Sequence, residues 1–209
     1  MLIGLTGGYC AGKNAVAALL EARGFLCFDL DKLGHEALGL EETQEAIAWR
    51  FGPGALGPEG FLDRKALATM VFKDPEGLAD LEGIVHPAVY RLLRPRVAAA
   101  RAEGRDVCLN AALLYRMPDA ADCDFIIEVR APLAIRVIRG CARDDSRIRD
   151  AIARIRNQRS FWKLRRKSGR PVYYLKNGKG HDELAKGLDA LLSRLSTKAQ
   201  QEEHKPSQH

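Results

Sequence analysis

Apolar and polar positions alternate along the chain in blocks that read as strands and helices in turn. LIGLT, residues 2 to 6, is a continuous apolar run of strand length. Lys13 to Arg23 follows with helical periodicity and Gly24 as its stop, and FLCF reads as a second strand. From Lys32 to about Gly104 the signals turn helical. DRKALATMVF has Asp63 as N-cap, DPEGLADLEG has Asp74 as cap with Pro75 at the first helical position, and HPAVYRLLRPRVAAARAEG places Pro87 in the same way. Pro95 should kink that last helix. DVCLNA and DFIIEV restore strand character, a helix starts after Pro132, PVYYL is a short strand, and Asp182 to Leu195 is a closing helix. Apolar strands separated by helices predict an α/β fold, a parallel five-stranded sheet covered by helices on both faces, with a helical insertion at about 32 to 104. The polar stretch from Ser196 to His209 lacks periodicity and is expected to be a disordered tail, leaving a single domain over residues 1 to 195.

Composition narrows the classes. With 209 residues, 46% hydrophobic and 29% charged, the chain can bury a core of its own. It has no apolar run near the ~20 residues a bilayer span needs, and Met1 leads into LIGLT without a basic n-region, so a cytoplasmic protein with no membrane partner is expected. The five cysteines are odd in number and lack a CxxC pair, which argues against disulfides and zinc. The net charge of +6 is concentrated between Arg136 and Arg170, where Asp144, Asp145 and Asp150 are the only acids. Such a stretch could follow a nucleic-acid backbone, with Phe161 and Trp162 stacking on bases, yet no nucleic-acid module accompanies it. A cationic lid over a polyphosphate, at about 139 to 170, accounts for it better and makes a nucleic-acid partner unlikely.

GLTGGYCAGKNAVAALL, residues 4 to 20, supplies the reason. Gly7, four residues, Gly12 and Lys13 fit the phosphate-loop pattern GxxxxGK[ST] up to its last letter, where Asn14 replaces the hydroxyl residue. Gly7, Gly8, Tyr9, Cys10, Ala11, Gly12, Lys13, Asn14 and Ala15 would bind ATP, with backbone N–H groups around Gly7, Gly8 and Gly12 facing phosphate oxygens at a helix N-terminus and Lys13 on the terminal phosphates. Cys10 is either a small loop filler or a reactive thiol at a helix N-terminus. FDLDKLGHEAL, residues 28 to 38, puts Asp29 and Asp31 at the carboxyl end of the second strand, where ligands bind in open α/β sheets. One of the pair should cap the next helix, and the other could accept a proton from an attacking hydroxyl.

Taken with FGPGALGPEGFLDRKAL, VFKDPEGLADLEGIVHP, RGCARDD and RNQ in that order, these motifs resemble the dephospho-CoA kinase family from residue 2 to about residue 194. The resemblance implies a P-loop kinase fold with a CoA-binding insertion and a lid, ATP and dephospho-CoA as substrates, and Mg2+ as cofactor. It also implies transfer of the ATP γ-phosphoryl group to the ribose 3′-hydroxyl. Residue by residue it implies Asp31 as general base, Asp29 as its neighbouring carboxylate, and Lys13 and Arg143 as phosphate-side cations with Arg139 assisting. Asn177 would lie beside the adenine, and Arg64 and His86 would face the acceptor. Against the family pattern, Asn14 and Ala15 replace hydroxyl residues, Asn110 an Asp, Ala112 a Pro and Arg116 a Glu. These departures are expected to cluster at the metal, where Asn14 is a weak ligand candidate. They leave a second reading open, a nucleotide- or CoA-binding protein with weakened or lost catalysis.

Overall fold

A computed structural model describes residues 1–57, 60–71 and 74–203. Five parallel strands, β1 (Leu2–Gly7), β2 (Leu26–Asp29), β3 (Val107–Asn110), β4 (Phe125–Arg130) and β5 (Val172–Lys176), form one sheet in the order β2-β3-β1-β4-β5. β1 pairs Gly4 with Leu109 on one side and with Ile126 on the other, so the phosphate loop leaves the centre of the sheet. β1 is buried along its whole length, as an interior parallel strand must be.

Helices cover both faces. α1 (Lys13–Glu21) and α8 (His181–Glu203) pack Val16, Leu20, Leu184 and Leu188 onto Ile3, Leu5 and Ile127. On the other face α2 (Leu30–Ala37) and α5 (Pro75–Ala102) bury Leu33, Val89 and Leu93 against Leu109 and Ile126. Gly4 faces that second layer, where a Cβ would come within 2.7 Å of Leu114 Cδ2. α3 (Glu41–Phe51) and α4 (Arg64–Val71) close a small separate core around Ile47, Ala55 and Leu67. α6 (Leu133–Asp144) and α7 (Ile148–Asn157) carry the basic stretch, and a run of 3-10 turns, Gln158–Ser168, returns the chain to β5.

Two helices differ from the sequence expectation. α5 runs unbroken from Pro75 to Ala102 with Pro87 and Pro95 inside it, where a start at Pro87 is expected. Each internal proline removes one ladder hydrogen bond, and Pro87 crowds the carbonyl of the residue four before it. That residue is Gly83, with open space around its Cα. Apolar packing along both flanks, Ala88, Val89 and Leu93 on the sheet and Leu81, Ile84 and Val85 on the insertion core, outweighs the loss. α8 likewise continues to Glu203, past the expected end at Leu195, so the start of the expected tail is helical. Residues 204 to 209 lie outside the described residues, as does Phe72 at the end of the predicted α4.

Candidate functional site

The loop between β1 and α1 is held in a conformation that needs its glycines. Cys10 and Gly12 both have left-handed backbones, with φ of 55° and 95°, and Ala11 N–H donates to Gly8 C=O at 2.9 Å. Asn177, 5% exposed, donates from Nδ2 to Ala11 C=O at 2.9 Å. A Cβ on Gly12 would lie 2.0 Å from that nitrogen. Gly12 is therefore fixed twice, by φ and by Asn177. The loop frames a cavity of about 500 Å³ lined by residues 7 to 15 together with Asp29, Asp31, Ala112, Arg139, Arg143 and Gln158.

The structure divides the two carboxylates between the two roles left open by the sequence. Asp29 Oδ1 accepts from Asp31 N–H and Lys32 N–H, both at 3.1 Å, and so caps α2. Asp31 instead points at the loop. Its Oδ2 lies 3.3 Å from Lys13 Nζ and accepts from Ala112 N–H at 3.3 Å. Lys13 is largely enclosed, its side chain 13% exposed, whereas Asp31 is 52% exposed and open to a substrate.

Asp31 also lines a neighbouring, mainly apolar pocket of about 250 Å³, with Leu30, His35, Leu81, Val85, His86 and Arg116 on its walls. Among the lining residues described, it alone is common to both cavities. His86 lines this pocket. Burial holds its imidazole below the ordinary value, with Glu82 opposing and Arg116 reinforcing the shift. Arg64 is not on the wall: its Nη2 donates to His35 C=O at 3.2 Å, tying α4 to α2. Arg116 is displaced from the expected cluster at the metal. It pairs with Glu82 at 2.8 Å in the apolar pocket, because the 3-10 turn Leu114–Arg116 carries it beyond the end of β3.

On the lid side, Arg143 lines the phosphate cavity but donates from Nε to Asp144 Oδ1 at 2.7 Å and lies 4.9 Å from the Tyr9 ring centroid. Arg154 and the Tyr9 hydroxyl also bind Asp144. Hydrogen bonds from Arg143 and Tyr9 hold the Asp144 carboxyl well below the usual carboxylate range, and the same contact raises Arg143. Arg139 Nη2 donates to Asn177 Oδ1 at 3.3 Å, while its Nη1 is buried without a hydrogen-bond partner. Asn177 thus braces the loop from behind and is not among the cavity-lining residues, unlike the adenine contact expected of it.

A third cavity of about 370 Å³ shares Asn14 and Asp29 with the phosphate cavity and also contains Asn110. Asn110 is 4% exposed and its Oδ1 has no hydrogen-bond partner. No group of three or more metal-binding His, Cys, Asp or Glu occurs among the described residues. The oxygen donors of Asn14, Asp29 and Asp31, with the orphaned Asn110 oxygen close behind, suit a hard cation held mainly by water and phosphate. Gln158, Tyr9 as a side chain, Asp144 and the Ala112 N–H were given no role by the sequence. Tyr9 in the phosphate loop, Asp144 in RGCARDD and Gln158 as the last letter of RNQ stand in motifs the sequence displays, which give position and not contact.

A family model described as dephospho-CoA kinase matches residues 1–180. The chain belongs to the dephospho-CoA kinase family. A dephospho-CoA kinase of Anaeromyxobacter dehalogenans is 37% identical over 93% of this chain and 92% of its own length. One from Thermus thermophilus is 36% identical over 94% and 92%. A crystal structure of TT1252 from Thermus thermophilus superposes with a TM-score of 0.77 at 36% identity, covering 93% of this chain and 97% of that one. Dephospho-CoA kinase from Campylobacter jejuni shares the fold, with a TM-score of 0.66 at 20% identity over 95% and 98%. No described helix is long and apolar enough to cross a membrane.

Proposed function

We propose that this chain is a dephospho-CoA kinase, moving the γ-phosphoryl group of ATP to the 3′-hydroxyl of dephospho-CoA to give CoA and ADP. The observation that carries the reading is the place of Asp31, common to the phosphate cavity and the apolar pocket and 3.3 Å from Lys13. A phosphoryl donor on the loop and a hydroxyl acceptor in the apolar pocket meet at that residue. In this reading Asp31 accepts the proton of the attacking hydroxyl, and Lys13 turns from Asp31 to the terminal phosphates as nucleotide fills the loop. Loop N–H groups and the α1 N-terminus hold the phosphate oxygens, and Asp29 keeps α2, and with it Asp31, in place. Arg143 and Arg139 supply cations on the lid side, where charge spreads over the transferring group. The apolar pocket, with His86 and the Glu82–Arg116 pair, receives the acceptor.

Asn14 and Asp29, directly or through water, are the residues that would hold Mg2+. Bound there, the cation would neutralise phosphate charge. The substrates of this reaction support a cytoplasmic location. A second reading, a nucleotide- or CoA-binding protein with weakened turnover, is favoured by Asn14 and Asn110, whose neutral amides serve a cation less well than acids or alkoxide-like donors. Mass spectrometry of CoA formed from ATP and dephospho-CoA, with and without a divalent metal, separates the two. CoA formed only with metal is the expected result, and no CoA at saturating substrates would leave the binder.

A further inference from the structure

Every polar group of Tyr9, at the tip of the phosphate loop, is engaged by the lid. Its N–H donates to Gln158 Oε1 at 2.5 Å, its carbonyl accepts from Arg136 Nε at 2.8 Å, and its hydroxyl donates to Asp144. The ring is gripped too: a Cβ on Gly140 would come within 2.6 Å of it. The N–H contact is chemically distinct from the others. Loop N–H groups are the receptors for phosphate oxygens, and Gln158 lines the phosphate cavity itself. An amide oxygen at that N–H is a neutral stand-in for a phosphate oxygen.

We propose that Gln158 is a positioning residue whose amide oxygen competes with a nucleoside di- or triphosphate oxygen for Tyr9 N–H, and that phosphate binding displaces it and releases the end of α7. This rests on the kinase reading of the loop and deepens it by assigning the coupling between nucleotide and lid. The exchange is favourable because hydrogen bonds to a charged acceptor are roughly twice as strong as neutral ones. Release has somewhere to go. Gln158 is the residue at which α7 ends and the 3-10 run Gln158–Ser168 begins. On that run Trp162 meets Tyr115 edge-on, with ring centroids 6.2 Å apart, and Arg165 holds Glu128 at 2.7 Å. Tyr115 precedes Arg116 of the acceptor pocket, so the run that starts at Gln158 and is anchored at Trp162 and Arg165 links the phosphate loop to the acceptor wall. The Arg136 and Asp144 contacts with Tyr9 involve atoms that phosphate does not contest, and they remain as the pivot.

The test needs no turnover. ADP is titrated calorimetrically, without acceptor and in chelator, into wild type, Gln158→Ala and Gln158→Glu, and amide hydrogen exchange of Tyr9 is followed in each. Gln158→Ala should bind ADP about threefold to tenfold more tightly, the equilibrium worth of one competing neutral hydrogen bond. Gln158→Glu should bind it more weakly than wild type, since a carboxylate holds the N–H harder and repels phosphate. Tyr9 exchange should be slow in ligand-free wild type, faster in ligand-free Gln158→Ala, and slow in both when ADP is saturating. In a Trp49→Phe background, which leaves Trp162 as the sole indole, ADP should shift the emission of the otherwise unaltered protein. ADP binding with no gain in Gln158→Ala, unchanged Tyr9 exchange, or an unshifted Trp162 signal would each overturn the inference. Failure of wild type to bind ADP at millimolar concentration would overturn the kinase reading itself.

Discussion

Asn at position 31 would keep the shape of Asp31 and remove its basicity. It should still accept from Ala112 N–H, as Asp31 does at 3.3 Å, so the local fold has reason to persist. Turnover of Asp31→Asn should fall by roughly a hundredfold or more with ATP affinity nearly unchanged, the usual consequence of losing a general base. Steady-state rates beside ATP dissociation constants check this, and unchanged turnover would remove Asp31 from proton transfer. Asn14 and Asn110 invite the opposite experiment. Asn14→Ser and Asn110→Asp should each lower the magnesium concentration for half-maximal activity, by about fivefold to tenfold for one improved metal contact. If the two amides instead form a jointly adapted site, single reversions would leave the requirement unchanged or raise it. The phosphate-loop spacing joins Gly12 to Lys13, and the family resemblance adds Asp31. Neither could tell which carboxylate is the cap, nor that Asn177 turns its amide to Ala11 C=O and Arg139 rather than to the cavity. The first choice depends on Lys13 and Ala112, which the fold brings to Asp31 from 18 and 81 positions away, and the second on Ala11, 166 positions from Asn177.

Elements were legible wherever one period dominated. All five strands fall where apolar runs place them, and Asp63 and Asp74 cap α4 and α5 as their spacing implies. α5 was misread at Pro87 because proline is a local signal and the packing of two helix flanks is not. Its N-cap is open to a direct test: Asp74 Oδ1 accepts from Glu76 N–H at 3.0 Å, and Asp74→Ala should cost about 1 kcal/mol, readable in denaturant unfolding with an unchanged m value. α6 ends in Arg143 and Asp144, and this end decides what the lid offers to nucleotide. Arg143 is paired with Asp144, so on the proposed reading it would exchange that partner for phosphate charge during transfer. Arg143→Ala should therefore lower the maximal rate more than it weakens ATP binding. Equal losses in the two would make Arg143 a uniform binder.

At the scale of the whole molecule, the sequence conveyed the parallel sheet and the concentration of basic residues between Arg136 and Arg170, but not how the basic charge is paired. Arg165 and Arg130 are held by the buried Glu128, Arg143 and Arg154 by Asp144, and Arg136 by the Tyr9 carbonyl. Part of a field that looks wholly available for polyphosphate in the sequence is thus paired within the fold, and those cations reach phosphate only by exchange, whereas Arg139 keeps Nη1 without a hydrogen-bond partner. The same distribution of titrating groups sets how stability varies with pH. His86 is held below its ordinary 6.5, so the unfolded chain takes up a proton there that the native pocket resists. Stability is full above 6.5 and declines as pH falls through it toward the folded value. Asp144 and Asp189 are held below 3.8 by Arg143 and Arg23, so their contribution is present above 3.8 and is lost in a second, more acid window. On the alkaline side the Cys108 thiol is raised above 9.0 by its contact with Cys27 and by burial, and the unfolded chain then loses a proton that the native core retains. Stability should therefore fall again as pH rises through 9.0, giving a plateau between that point and 6.5. Thermal unfolding across pH should trace this profile, with His86→Gln flattening the shoulder just below 6.5 while leaving the acid limb in place. An acid shoulder that survives His86→Gln would assign it to another group, and a profile flat from 6.5 down to 3.8 in the wild type would refute the buried neutral imidazole altogether.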